Sequence, residues 1–246
     1  MKTVLVTGSA SGIGRETIKL FAKNNYNVII TYNNNYKDAI TLEKEIKENY
    51  NVKTLLVKLD ITNEENIKEV TTLIKETFNY IDVLVNNASI AIDTTFEDKT
   101  KENFMKTLEV NLVGTFLVSK HISKIIKNGS IINVSSNNAI DSYYVESLDY
   151  DASKSAIISL THNLANYLSP NIRVNAICPG WVETNMNKDL TKEFIEKENK
   201  KILLNRFAKP SEIANLIYFL ASDNASYIND SIIKIDGGIK KWMATN

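Results

Sequence analysis

Thr3-Val4-Leu5-Val6-Thr7-Gly8-Ser9-Ala10-Ser11-Gly12-Ile13-Gly14 opens the chain. Val4 to Val6 read as a short buried β-strand, and glycines at 8, 12 and 14 follow before an amphipathic run with Ile18, Phe21 and Ala22 at helical spacing. Strand, glycine-rich turn and helix in that order give the context that a phosphate-binding loop requires. Glycines permit a tight turn and close backbone approach, and the first N–H groups of the following helix offer donors to a pyrophosphate. The spacing is Gly-x-x-x-Gly-x-Gly, which differs from the Gly-x-Gly-x-x-Gly of the common dinucleotide fingerprint. A strand-to-helix turn without a ligand is the plain alternative.

The same alternation continues outward from this loop. β-branched runs recur at Thr3 to Thr7, Val28 to Tyr32, Thr54 to Leu59, Val83 to Val85, Ile131 to Val134, Val174 to Ile177 and Ile232 to Ile235, seven candidate strands in all. Segments between most of them carry helical spacing, as with Ile67, Val70, Ile74 and Phe78. Alternating β and α units imply parallel strands joined by right-handed crossovers. Strands without polar alternation, such as Val83-Leu84-Val85, fit a sheet covered by helices on both faces. With no linker or internal repeat, the chain reads as one α/β doubly wound Rossmann domain over residues 1–246. The least regular stretch, residues 181–210, holds a charged segment from Thr191 to Lys201 and is either a lid over a substrate or a solvated helix.

Composition narrows the functional classes. Hydrophobic residues make up 43% and charged residues 24% of the 246, ordinary for a globular chain with a substantial core. Twenty-nine basic residues balance twenty-nine acidic ones, and no basic stripe calls for nucleic acid or an anionic membrane. Cys178 is the single cysteine, so no intramolecular disulfide forms and a reducing compartment is compatible. No signal-peptide pattern and no apolar run of about eighteen residues stand in the sequence, which makes the cytoplasm the default expectation. His121 and His162 have no second ligand at metal spacing, so no metal is expected.

Tyr150 and Lys154 stand four apart in a segment, 150 to 168, that reads as helix, so one face carries both. A cation near a phenol favours the phenolate, and such a pair serves as a proton donor or acceptor. Ser135 and Ser136 lie upstream as candidate hydroxyl donors. At the end of the second strand, where NAD-specific sites carry a carboxylate for the ribose 2′-hydroxyl, stand Tyr32, Asn33 and Asn34. That absence admits a 2′-phosphate, with Arg15 or Lys37 as its cationic partner, and favours NADP(H) over NAD(H).

Over essentially its whole length the chain resembles the short-chain dehydrogenase/reductase family. Thr7-Gly8 with Gly12-Ile13-Gly14 resembles the family's cofactor loop, with Ser9 and Ser11 inside it. Asp60, followed by Ile61, is similar to its adenine-contacting acid, and Asn86-Asn87-Ala88 to its Asn-Asn-Ala-Gly motif, with Ser89 replacing the glycine. Pro179-Gly180 and Thr184 resemble the turn that contacts the nicotinamide carboxamide. The resemblance implies that Asn111, Ser136, Tyr150 and Lys154 are catalytic. Tyr150 would give a proton to a carbonyl that receives hydride, Lys154 would lower the phenol pKa and hold the nicotinamide ribose, Ser136 would bond the carbonyl oxygen, and Asn111 would hold a water for proton return. The interval from Ser136 to Tyr150 is one residue longer than in close relatives, which keeps Ser135 as a second candidate.

Compact length and the tail from Arg206 to Gly238 look most like 3-oxoacyl-acyl carrier protein reductases, which implies a 3-oxoacyl thioester and acyl carrier protein as partner. Lys127 would meet that acidic carrier, but Ser169-Pro170-Asn171 offers no second basic contact. A sugar, polyol or small-ketone reductase is the rival, and a non-catalytic nicotinamide-binding redox sensor the alternative of another class. Trp181 is expected on the substrate side. The resemblance also implies a homotetramer or homodimer, with Leu160, Leu164, Leu168 and Ile232 to Ile235 as candidate interface residues.

Overall fold

The computed structural model describes residues 1–141, 143–187 and 189–239, with the side chain of residue 186 also outside the description; the end of the 1–246 reading therefore lies beyond the described residues. Seven strands, β1 (Thr3–Val6), β2 (Asn27–Tyr32), β3 (Thr54–Lys58), β4 (Ile81–Asn86), β5 (Ile126–Val134), β6 (Ile172–Pro179) and β7 (Ile232–Ile235), form one sheet. Their order is β3-β2-β1-β4-β5-β6-β7, and every pairing is parallel. β1 pairs with both β2 and β4, Val4 facing Val28 on one side and Val83 on the other, so the winding reverses there and opens a crevice at the strands' C-terminal ends.

Strand periodicity divides the apolar residues between two cores. Val4, Val6, Val28, Ile30, Val83 and Val85 pack with Ile18 and Phe21 of α1 (Gly12–Lys23), Leu42 of α2 (Tyr36–Asn49) and Ile217 on the opposite margin of the same layer. Their neighbours Leu5, Ile29 and Leu84 face the other way, onto Ile67 and Ile74 of α3 (Glu64–Phe78) and onto Val118 and Ile122. A strand whose residues are all buried therefore cannot show alternation, and its sequence reads as a continuous apolar run.

α4 (Lys101–Leu108) runs through a π-helical turn at Glu109–Gly114 into α5 (Thr115–Ile122). The longest helix, α6 (Leu148–Leu168), precedes β6; α7 (Lys192–Lys201) lies in the 181–210 segment, and α8 (Pro210–Ala221) precedes β7. With glycine scarce, asparagine takes left-handed positions after helices: Asn25 follows α1 at φ +61° and Asn79 closes α3 at φ +67°. β4, β5 and β6 begin earlier than their apolar runs: Ile81 pairs with Ile126 ahead of a register shift that spans Lys127 and Asn128, and Arg173 pairs with Ser130. Among the described residues no helix is long and apolar enough to cross a membrane.

Candidate active site

The two loops at the winding reversal are bolted to each other. Thr7 Oγ1 accepts from the N–H groups of Asn87 (2.9 Å) and Ala88 (3.0 Å), while Asn87 Nδ2 donates to the carbonyls of Thr7 (2.9 Å) and Gly8 (3.2 Å). Gly8 has φ +62°, and a Cβ there would lie 3.0 Å from Ala88 Cα. A Cβ on Gly14 would lie 2.7 Å from both Asn87 Nδ2 and the Gly8 carbonyl, so the helix start, the loop and β4 close up only around glycine. Ser11, the residue before α1, makes no side-chain cap, which leaves the first N–H groups of that helix facing the crevice for an anion. This cradle fits a dinucleotide's pyrophosphate. The non-glycine residues with positive φ among those described are Asn25, Asn79, Asn205 and Asp230, so Ser89 occupies backbone open to any residue.

Above these loops lies a cleft of about 790 Å³. Of the residues singled out from sequence, Gly8, Ser11, Gly12, Ile13, Tyr32, Ile61, Asn87, Ala88, Ser136, Tyr150, Lys154, Pro179, Gly180 and Thr184 line it. Of the residues named as catalytic or cofactor-binding, four do not: Gly14 has no side chain, and the side chains of Ser9, Asp60 and Asn111 serve the scaffold. Ser9 Oγ accepts from the Thr31 N–H at 2.8 Å and fastens the loop to β2. Gly14 is the close-packing point already described. Asp60 Oδ1 accepts from the Thr62 N–H (3.0 Å) and hydroxyl (2.7 Å), while its neighbours Leu59 and Ile61 face the cleft. Asn111, in the π-helical turn, accepts from the Ile90 N–H (2.8 Å) and donates to the Ile90 carbonyl (2.9 Å) and to Ser153 Oγ (3.0 Å). It thereby joins three segments beneath the cleft, and its own carbonyl accepts from the Thr115 hydroxyl at 2.7 Å.

The two serines after β5 are used differently. Ser135 Oγ donates to the Lys154 carbonyl at 2.7 Å and belongs to the packing of α6. Ser136 hydrogen-bonds the Tyr150 phenol, and its Oγ accepts from the Asn138 N–H at 3.2 Å. Tyr150 is held from both sides along α6. Asp149 accepts from Lys99 Nζ (2.9 Å) and Thr107 Oγ1 (2.7 Å), and Asp151 from Asn138 Nδ2 (2.6 Å) and the Tyr144 N–H (3.2 Å).

Lys154 departs from the simple picture of an ammonium on the phenol. Its Nζ donates to the Val134 carbonyl at 2.8 Å and stands 5.4 Å from the centre of the Tyr150 ring. Burial therefore dominates both groups: it pushes the Tyr150 phenol up to about 12, against the pull of the Ser136 hydrogen bond, and lowers the Lys154 ammonium to about 8. Tyr150 keeps its proton throughout the neutral range. Arg15 is likewise engaged elsewhere, its Nη2 2.6 Å from Glu45 Oε2 of α2.

Comparison with known proteins agrees with this arrangement. A family model described as Enoyl-(Acyl carrier protein) reductase matches residues 8–240. A 3-oxoacyl-[acyl-carrier-protein] reductase of Aquifex aeolicus is 38% identical over 242 residues, 97% of each chain. The chain belongs to the short-chain dehydrogenase/reductase family. Its chemistry is accordingly nicotinamide-dependent oxidoreduction of a CH–OH/C=O pair. This short-chain dehydrogenase/reductase is also 37% identical, over 96% of its length and 93% of the relative's, to an NAD-dependent glycerol dehydrogenase of Listeria innocua. Among solved structures, a Burkholderia cenocepacia short-chain dehydrogenase in complex with NADP aligns with a TM-score of 0.91 at 28% identity, covering 96% and 97% of the two chains.

Sequence reasoning did not find the far wall of the cleft, which Asp93, Tyr144, Ser147, Thr191 and Phe194 form together with the expected Trp181. No motif marks these residues; they come from three separate segments. Lys127 is the second residue of β5, with its Nζ 4.9 Å from the centre of the Tyr80 ring, at the opposite end of the strand from Ser136. Leu164 and Leu168, offered as interface residues, pack on the chain's own core, as do Ile233 and Ile235.

Proposed function

We propose that this protein is an NADP(H)-dependent carbonyl reductase in which Tyr150 is the proton donor and Ser136 the hydrogen-bond donor to the substrate oxygen. One observation carries the reading: the Ser136 hydroxyl, the Tyr150 phenol and Lys154 converge on one cleft, with Lys154 Nζ 5.4 Å from the centre of the Tyr150 ring. The nicotinamide, when bound, supplies the hydride. As the carbonyl oxygen gains negative charge, Ser136 stabilises it and Tyr150 protonates it. Lys154, buried on Val134, holds the cofactor's ribose and assists recharging of the phenol, with Asn111 fixing the ground between α6 and the Ile90 loop and serving the water that returns the proton. Gly8, Ser11, Gly12 and Ile13 receive the pyrophosphate, with Ser9, Gly14, Asp60, Ile61, Asn87 and Ala88 forming or bracing the cofactor's bed; Pro179, Gly180 and Thr184 hold the carboxamide.

The cofactor preference rests on β2's end, where Tyr32, Asn33, Asn34 and Asn35 line the cleft with no carboxylate among them. Lys37, exposed in the first turn of α2, supplies the charge for a 2′-phosphate, since Arg15 is paired with Glu45. NADPH and NADH oxidation, followed by absorbance with a 3-oxoacyl thioester, tests the assignment: faster turnover with NADPH supports it, and equal or faster turnover with NADH overturns the cofactor choice. Asn33→Asp, which adds a repelling carboxylate, should weaken NADPH binding about tenfold or more while sparing NADH.

A 3-oxoacyl thioester, delivered by an acyl carrier protein, is the first substrate proposed, supported by the relatives that carry that name. A sugar, polyol or small ketone is the second reading, favoured by the far wall, where Asp93, Ser147 and Tyr144 are polar, and by Lys127's place at the far end of β5. We further infer a cytoplasmic setting and a homotetramer or homodimer, which the exposed Met105, Val113 and Phe116 along α4 and α5 support.

A further inference from the structure

Seven of the ten residues of α7 are charged, and a solvated helix would turn all of them outward. Glu198 does the opposite: its side chain is 3% exposed. The carboxylate collects three donors. Tyr144 Oη donates to Oε2 at 2.7 Å, Trp181 Nε1 to the same oxygen at 3.3 Å, and Lys201 Nζ to Oε1 at 2.5 Å. Trp181 Nε1 also reaches Tyr144 Oη at 3.1 Å, which closes a triangle. One turn earlier on the same face, Phe194 meets Trp181 edge-on with ring centres 5.6 Å apart, and Phe207 stacks on the indole at 5.4 Å. Tyr144, Trp181 and Phe194 all line the cleft.

From this geometry we propose that Glu198 is a positioning residue for the substrate: its carboxylate fixes Tyr144 and Trp181 against α7 and so sets the shape of the far wall. The proposal rests on the reading that the carbonyl substrate lies between Tyr150 and α7. Burying a carboxylate is unfavourable unless it is bonded, and here its bonds join α7 to the separate segments that carry Tyr144 and Trp181. Burial opposes the charge on Glu198, but Lys201, Tyr144 and Trp181 outweigh it and hold the carboxyl below its usual range. Burial and then the Glu198 carboxylate raise the Tyr144 phenol above its ordinary value. Donor and acceptor thus keep their roles across neutral pH, and Tyr144 donates its hydrogen bond to Glu198 rather than to a substrate.

Two readouts test this in the full chain carrying Trp242→Phe, which leaves Trp181 as the sole tryptophan. Acrylamide quenching of Trp181 needs no turnover, and Glu198→Ala should raise the quenching constant about twofold or more, as expected when a bonded indole is released. With an acetoacetyl thioester and with dihydroxyacetone as probes, KM should rise about tenfold for the probe that is turned over, with kcat changing less than KM and NADPH affinity unchanged. Glu198→Gln, which keeps an acceptor for Tyr144, should recover most of that loss, and Tyr144→Phe should raise KM without adding to Glu198→Ala in the double variant. If Glu198→Ala does not fold, the Tyr144→Phe and Glu198→Gln arms decide alone. Unchanged quenching overturns the proposal, and so does a KM within about twofold of the parent once Trp181 is released. Failure of the underlying reading is distinguishable: it would appear as turnover surviving Tyr150→Phe, with the Trp181 response intact.

Discussion

At the scale of single residues, burial rather than charge pairing governs the central pair. Because the Lys154 ammonium is buried with no carboxylate beside it among the described residues, its pKa falls from 10.5 to about 8. The folded chain then binds fewer protons than the unfolded chain between those values, so stability rises with pH through that window. Lys154→Met should abolish this rise, worth up to about 3 kcal/mol, and urea unfolding of both proteins at pH 8 and pH 10 reads it directly. An equal rise in the variant would show that Lys154 is charged in the fold. Sequence alone disclosed Tyr150, Lys154 and the glycine loop because each is a contiguous pattern whose spacing implies its geometry. It did not disclose which way Ser9, Asp60 or Asn111 turns, since Thr31, Thr62 and Ile90, their partners, are set by the backbone's path. Tyr144 and Glu198 stand 54 residues apart and meet only in the folded chain.

At the scale of elements, the start of α6 is the component on which the site depends most. Lys99 and Asp149 form an ion pair with side chains 5% and 0% exposed, completed by Thr107, and Lys99 Nζ also donates to the Ile92 carbonyl. Removing one partner strands the other: Asp149→Ala should cost about 3–5 kcal/mol in denaturant unfolding, because Lys99 stays buried without its counter-charge. A loss below about 1 kcal/mol would mean that Lys99 escapes to solvent. The strands were legible as apolar runs because both sheet faces are covered, whereas their N-terminal ends were not, since Arg173 looks like a loop residue until Ser130 of the neighbouring strand pairs with it, and Lys127 lies in a register shift that interrupts the pairing. The charged pattern of α7 concealed a buried face for the same reason: a carboxylate turned inward looks identical in sequence to one in water.

For the whole molecule, the sheet order brings the first loop, β4's end, β5's end and β6's end to one crevice, and that convergence was implied by the alternation of strands and helices. Apolar spacing at Leu164 and Leu168 is satisfied in part by their own core, so it does not by itself mark an interface. Among the exposed apolar residues, Met105 at 52% and Phe116 at 42% stand on α4 and α5. Phe116→Glu should therefore shift the sedimentation profile toward smaller species; an unchanged profile would move the interface elsewhere. The central claim is that Tyr150 supplies the proton in a nicotinamide-dependent reduction, and the measurement that tests it most directly is turnover by Tyr150→Phe in protein shown by nicotinamide fluorescence to bind NADPH. The account predicts wild-type cofactor affinity with a rate reduced by about a hundredfold or more; a rate within about tenfold of the parent would contradict it.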